Sequence, residues 1–203
     1  SANVLSPDWI EVGSYLPWFP YNPEYGAFTF DVSVLVPPEF RVCSYVLPER
    51  ESVSWRFRQD RPVNDIVLAA SPEFESRILQ EDGFTISLHT LTLSEETKVQ
   101  MGQDVSAALR LYSEWFGGGA SLSMALVESA RERGGGYARR GLIVLGGLDD
   151  QGYALRHEAY IRYLGHEIAH FWWAGAPVET WEDWLNEGFA EYSSLLLVRE
   201  QFG

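Results

Sequence analysis

The apolar residues of this chain change their spacing near residue 93, and this change limits the folds that the sequence can form. Before that point, apolar and polar residues alternate, in part over residues 27–36 and clearly over residues 52–57 and 84–93. Alternation with a period of two is typical of half-buried strands, and the prolines and glycines between these runs indicate turns. Residues 1–93 are therefore predicted to form a β-rich N-terminal region.

The second part of the chain has helical spacing instead. One apolar stripe with this spacing consists of Val105, Ala108, Leu109, Tyr112 and Phe116. The glycines at 117–119 should end this helix. The elements predicted after it are strands at 121–127 and 141–148 and helices at about 153–173 and 182–200. The sequence thus predicts an α+β fold, with a boundary near 93/94 and a second region over residues 94–203.

Composition and charge restrict the partners. The 203 residues are 46% apolar, which is enough for a sizeable core, and the formal net charge is −14. Such a charge repels phosphate backbones, so no nucleic acid partner is expected. No signal peptide or transmembrane segment is visible in this sequence. The single cysteine, Cys43, excludes an internal disulfide and is predicted to be a small buried hydrophobic residue.

A possible metal site lies in the first of the two later helices. Residues 166–170 read His-Glu-Ile-Ala-His, and on a helix two histidines four residues apart leave the same face, one turn apart. Two imidazoles at this spacing can chelate one zinc ion (Zn²⁺), which needs a third protein ligand and an open position for water. Glu167 lies about 100° around the helix from His166, so it can act as a general base instead of a ligand.

The third ligand is expected from the following helix. Sixteen residues separate His170 from Glu187, enough for a helix end, a turn and the start of an antiparallel helix. Glu187 is therefore the candidate ligand, and the alternatives are the nearby carboxylates Glu179, Glu182 and Asp183. Glu191 shares a helix face with Glu187 and could accept a hydrogen bond from a zinc-bound imidazole, although a solvated surface glutamate is an equal alternative.

The stretch Trp184-Leu-Asn-Glu-Gly-Phe-Ala190 closely resembles the WLNEGFA signature of the aminopeptidase N family of gluzincin zinc peptidases. The resemblance implies that Glu187 is the third zinc ligand and that residues 94–203 form a thermolysin-like catalytic segment acting on peptides. Residues 112–117 are similar to the helix end before the family's Gly-Ala-Met-Glu-Asn strand, and 135–139 take that strand's place. Residues 16–20 and 27–37 resemble the end of its N-terminal β domain, so the sequence looks like the middle of a larger parent chain.

The sequence departs from the family in three ways. Its connection between the second histidine and the glutamate has sixteen residues where the family usually has eighteen, a shortening that a loop can absorb. Ala138 replaces the family glutamate that holds the free amino terminus of a substrate, which leaves exopeptidase or endopeptidase action open. The family's oxyanion-stabilising tyrosine would lie beyond Gly203, so the catalytic segment is expected to be truncated at its C-terminus.

Three functions are consistent with these features. The favoured one is a zinc peptidase in which water activated by the metal attacks a peptide bond and Glu167 is the general base. A zinc-binding interaction module with impaired catalysis is the alternative, motivated by Ala138 and the missing tyrosine. The third is a β-rich binding protein in which the His-Glu-Ile-Ala-His motif is accidental. The oligomeric state, the substrate side chain and the cellular compartment are not predicted.

Overall fold

The chain has a mixed α+β fold. The computed structural model describes residues 3–14, 18–20, 22, 26–118, 123–131 and 135–203. Parts of three sequence predictions, residues 16–17, 119 and 121–122, lie outside the described residues. Within the described ranges, no helix is both long enough and apolar enough to cross a membrane.

In the described part of the first 71 residues, seven strands form two small sheets. The strands are β1 (Val4–Leu5), β2 (Ile10–Val12), β3 (Phe28–Leu35), β4 (Arg41–Cys43), β5 (Glu49–Glu51), β6 (Ser54–Val63) and β7 (Leu68–Ser71). One sheet has the order β1-β2-β7-β4 and the other β3-β6-β5, with antiparallel neighbours throughout. Cys43 is buried, as its predicted role requires. In β3 exposed residues alternate with less exposed ones, as the sequence pattern predicts for a strand with one buried face, whereas all four residues of β7 are buried.

A third sheet supports the helices. Its strands are β8 (Glu75–Glu81), β9 (Phe84–Thr90), β10 (Ser123–Ser129), β11 (Tyr137–Arg139) and β12 (Leu142–Gly146). The order is β11-β12-β10-β9-β8, in which β9, β10 and β12 are parallel and both outer strands are antiparallel to their neighbours. Because β8 and β9 precede residue 93 and β10 follows it, the division into 1–93 and 94–203 separates strands of one sheet.

The two faces of this sheet pack against different parts of the chain. Leu126 and Ile143 face a core that includes the helices, whereas Val127 and Val144 face a core shared with the N-terminal strands. Neighbouring residues of a strand point to opposite faces, so β10 and β12 are buried on both sides. This explains why their sequences are continuous apolar runs.

The ranges that the structure describes also contain four helices: α1 (Glu95–Phe116), α2 (Asp150–Leu155), α3 (His157–Ala169) and α4 (Asp183–Phe202). The hydroxyl oxygen of Ser94 accepts a hydrogen bond from the Thr97 amide and caps α1, and Gly117 ends it with a φ of 81°. The predicted apolar stripe of α1 faces the core, except that Phe116 is only partly buried.

The single helix predicted over about 153–173 is wrong, because the chain forms two helices there. Arg156 has φ −128° and ψ 38°, which breaks the helical path between α2 and α3. The Tyr153 hydroxyl of α2 donates to Asp104 of α1 at 2.5 Å, so α2 is fixed by a contact remote in sequence. At the other end, α3 stops at Ala169 and a tight turn follows.

Candidate metal centre

Helix α3 presents the two motif histidines at its C-terminal end. His166 lies in the last turn, and His170 is the C-cap residue, still with helical dihedral angles (φ −62°, ψ −11°). Ile168 and Ala169 between them are fully buried in the helical core. The buried positions fix the rotation of α3, so both imidazoles leave its more open side, and their Nε2 atoms lie 3.3 Å apart.

Helix α4 brings a carboxylate to the same point. Glu187 Oε2 lies 3.2 Å from His166 Nε2, and Glu187 Oε1 lies 3.6 Å from His170 Nε2. These three side chains form a cluster of potential metal ligands within the described residues, whereas Glu179, Glu182 and Asp183 take no part in it. The structure thus brings together the three residues that the sequence named as ligands.

The spacing of these atoms fits a zinc ion. A tetrahedral ion with ligands at 2.0–2.1 Å has neighbouring ligand atoms about 3.3 Å apart. The three measured separations of 3.2, 3.3 and 3.6 Å are close to that value. Two imidazole nitrogens and one carboxylate oxygen are also a donor set that zinc accepts, and the half-exposed side chain of Glu187 leaves room for a fourth ligand from solvent.

Each imidazole is oriented through its second nitrogen. His170 Nδ1 donates to the Trp173 carbonyl at 2.9 Å, and His166 Nδ1 lies 3.4 Å from Glu191 Oε2. Glu191 also pairs with Arg162 of α3. A proton held at Nδ1 leaves the lone pair on Nε2, the atom that faces the other ligands. The carboxylate of Glu191 thus lies close to His166 Nδ1, while 39% of its side chain is exposed.

Glu167 is placed apart from the three ligands. Glu167 is only 6% exposed. Burial is the main cause that raises the pKa of its carboxyl to about 7. The negative charge of Glu187 raises this pKa further, and the positive charge of Arg139 lowers it. Glu167 directly follows the candidate ligand His166 on α3. It belongs to no potential ligand group of the described residues. A carboxyl whose pKa is near 7 can both accept and release a proton at neutral pH.

The backbone of Gly136 forms the wall opposite Glu167. A Cβ atom at this glycine would lie 3.0 Å from Glu167 Oε1, 2.6 Å from Leu145 Cδ2 and 2.9 Å from the Val144 carbonyl oxygen. Only glycine therefore fits here without a shift. Gly136 is the last of three consecutive glycines, at 134–136. Such a run predicts a connection between strands, and it does not by itself indicate that the backbone approaches a catalytic carboxylate.

Strand β11 continues from this glycine along the sheet edge. Ala138 lies two residues further on, and it packs against the helical core. Its side chain thus points to the face of the sheet that the helices cover, and it carries no carboxylate. The next residue, Arg139, has a charged partner, because its Nε donates to Asp65 at 3.1 Å. Arg140 is exposed.

Asn186 is a further residue that the sequence did not single out. Its side-chain oxygen accepts from the Ala176 amide at 3.0 Å, and its side-chain nitrogen donates to the Ala176 carbonyl at 2.9 Å. These bonds tie the connection between α3 and α4 to the residue that directly precedes Glu187. Only the structure reveals this role, because it places the amide of Asn186 in a buried position with hydrogen-bond partners.

A groove of about 600 Å³ opens beside the cluster along α3. Its lining includes Ala159, Arg162, Tyr163, His166 and Glu191. The groove reaches one candidate ligand, His166, so a solvent-borne molecule can approach the cluster from this side.

A scan of family models finds no match for the chain. A search of curated proteins finds none either.

Proposed function

We propose that this chain carries the catalytic site of a zinc-dependent peptidase of the thermolysin-like gluzincin type, related to the aminopeptidase N family. The observation that supports the proposal most strongly is the convergence of His166, His170 and Glu187, with separations of 3.2 to 3.6 Å between their donor atoms. Support also comes from the Trp184–Ala190 stretch, which resembles the family signature. A groove along α3 also reaches the edge of the cluster at His166.

The side chains have distinct roles in this proposal. Zinc held by the three ligands would supply a Lewis acid that polarises the peptide carbonyl and lowers the pKa of water. Glu167 accepts the proton from the attacking water and passes it to the leaving amine. Glu191 and the Trp173 carbonyl hold the imidazole Nδ1 atoms, which leaves the Nε2 atoms as the ones that would bind the ion. Burial shields the carboxyl of Glu167 from bulk water.

Metal analysis combined with a peptide-library cleavage assay tests the proposal. The purified chain should contain one zinc ion per molecule and cleave peptides. Glu167→Gln should keep the zinc but reduce cleavage by about 10² to 10⁴, because it removes only the general base. Glu187→Gln should lose both the zinc and the activity, because it replaces a ligand.

A matched control is available on the surface of α4. Glu200→Gln makes the same chemical change at an exposed position far along the helix from Glu187, and it should change neither zinc content nor cleavage. Equal cleavage by the Glu167→Gln and wild-type proteins would rule out the proposed mechanism.

A zinc-binding interaction module is the second candidate function. The observation in its favour is Ala138, which puts a methyl group where the related peptidases have the glutamate that holds a substrate amino terminus. This function predicts one zinc ion per chain and no cleavage of any library peptide. The same two measurements therefore separate the candidates, since only the peptidase loses an activity in the Glu167→Gln protein.

A further inference from the structure

Two carboxylates from the N-terminal strands are buried against the segment that leads into and forms β11. Glu11 of β2 has no exposed surface, and Asp65, which follows β6, is 2% exposed. Burying a carboxylate is costly unless charged or hydrogen-bonding partners compensate it. The partners of both residues come from the region between Ser129 and Arg139.

Glu11 binds three side chains of this region. Its Oε2 accepts a hydrogen bond from the Ser129 hydroxyl at 2.6 Å, and its Oε1 lies 3.3 Å from Arg131 Nε. The hydroxyl of Tyr137 forms a further side-chain hydrogen bond with Glu11. One buried carboxylate thus connects the end of β10 with the first residue of β11.

Asp65 holds the other end of β11. Its Oδ2 accepts from Arg139 Nε at 3.1 Å, and another nitrogen of this guanidinium donates to the Ala138 carbonyl at 2.9 Å. The guanidinium carbons of Arg139 and Arg131 lie 5.2 and 5.5 Å from the centroid of the Tyr137 ring, within the range of cation–π attraction. The residues at both ends of β11 are therefore attached to the N-terminal strands.

This attachment bears on Glu167 through Gly136. The glycine directly precedes β11, and its backbone lies so close to the Glu167 carboxylate that an added Cβ would be 3.0 Å from Oε1. On its inner side β11 pairs with β12, while no described strand pairs with its outer edge. Edge strands have few hydrogen bonds to hold them, so an additional anchor decides how firmly this wall is placed.

We propose that Glu11 and Asp65 are positioning residues for Glu167, because they clamp β11 and the adjoining Gly136 against its carboxylate. The N-terminal β region then sets the geometry of the catalytic wall, whereas the metal ligands on α3 and α4 are held independently of it. The catalytic part of this inference rests on the proposed function. A displacement of about 1 Å in such a wall can cost about 100-fold in rate.

Four variants and one control test the clamp. Glu11→Gln and Asp65→Asn each remove one buried charge, and Arg139→Lys keeps the cation at a shorter reach. A double variant, Asp65→Asn with Arg139→Met, removes both charges and so leaves neither partner buried and unpaired. Asp31→Asn is the matched control, since Asp31 forms an ion pair with Arg56 in the N-terminal strands at an exposed position.

The measurements are amide hydrogen exchange of residues 135–139, zinc affinity and the kinetic constants for a cleaved peptide. In Glu11→Gln, Asp65→Asn and the double variant, exchange at 135–139 should become faster and kcat should fall about 10- to 100-fold, with zinc affinity unchanged. Arg139→Lys should restore part of kcat relative to the double variant. Asp31→Asn should match the wild type in all three measurements.

Two results overturn the inference. The first is unchanged exchange at residues 135–139 in Asp65→Asn and in the double variant, whether or not the protein cleaves peptides. The second is a loss of zinc affinity in parallel with kcat, which would indicate general destabilisation. A wild-type protein that cleaves no peptide defeats the proposed function instead, and faster exchange in the variants would still support the clamp.

Discussion

His166 and Glu191 face each other across the contact between α3 and α4, with 3.4 Å between Nδ1 and Oε2. Glu191 lies one helical turn after the candidate ligand Glu187, so a single face of α4 supplies both a ligand and the group that orients another ligand. The two roles differ in their expected sensitivity to mutation, because only Glu187 would contact the ion.

Glu191→Gln should therefore weaken zinc binding without abolishing it. The substitution keeps the size of the side chain but removes the charge that favours a proton on Nδ1, and a loss of about 10-fold in affinity is expected. A competition titration with a chelator measures this loss. Arg162→Gln removes the cation that pairs with Glu191 and should have a smaller effect. Equal affinity in the wild-type and Glu191→Gln proteins would contradict the supporting role.

Gly136→Ala should impair both stability and cleavage. The new methyl group would meet Leu145 Cδ2 at 2.6 Å and the Val144 carbonyl oxygen at 2.9 Å, so the backbone must move away from Glu167. Such overpacking costs about 1–3 kcal/mol of unfolding free energy. Gly135→Ala is the control, since an added Cβ there meets nothing within 4 Å. Urea unfolding and the cleavage rate should change only in the first variant, and equal values in both would be the contrary result.

Gly165→Ala should separate the helices that carry the ligands. An added Cβ would lie 2.7 Å from Leu197 Cδ2 of α4 and 3.0 Å from the Tyr112 hydroxyl of α1. We expect a loss of about 1–3 kcal/mol in unfolding free energy and weaker zinc binding. Gly188→Ala on the open side of α4 should instead stabilise the protein by about 0.5–1 kcal/mol. Thermal unfolding with and without zinc tests the expected destabilisation by Gly165→Ala and the expected stabilisation by Gly188→Ala. A Gly165→Ala protein as stable as the wild type would refute the close packing.

His89 should make the stability depend on pH. Burial lowers the pKa of its imidazole to about 4, below the usual value of about 6.5 in an unfolded chain. The unfolded state then takes up the proton first, so this contribution is complete above pH 6.5 and is lost as the pH falls toward 4. The expected loss between pH 7 and pH 5 is about 2 kcal/mol.

Urea unfolding at both pH values measures this loss. The His89→Asn protein, which keeps a polar partner for the Ser76 hydroxyl, should lack that part of the pH dependence. An identical pH dependence in both proteins would show that His89 does not contribute.

Local patterns predicted the elements that carry the candidate site. The apolar stripe of α1 and the glycine at 117 define that helix in the sequence, and the spacing of His166 and His170 needs only a helix to bring their side chains together. The prediction of Glu187 as the third ligand required one further assumption, namely that the chain returns as an antiparallel helix after His170. The structure has this return, although α3 ends earlier than the spacing suggested.

Contacts between distant residues could not be read from such patterns. The break at Arg156 has no glycine or proline to mark it, and α2 is fixed by the bond between Tyr153 and Asp104. The pairing of Glu11 with Arg131 joins residues that are far apart in sequence. Ion pairs and strand pairings leave no periodic pattern in the sequence. The position of β11 beside Glu167 is therefore visible only in the structure.

The sheet that crosses residue 93 determines how the protein can be divided. A fragment that starts at residue 94 would lack β8 and β9, and the apolar strand β10 would then present a bare edge to solvent. Unpaired edges of this kind promote aggregation. Chimeras and truncations that preserve the helical site must therefore be cut upstream of Glu75. The first half of the sequence thus donates two strands, β8 and β9, to the sheet that supports His166 and His170.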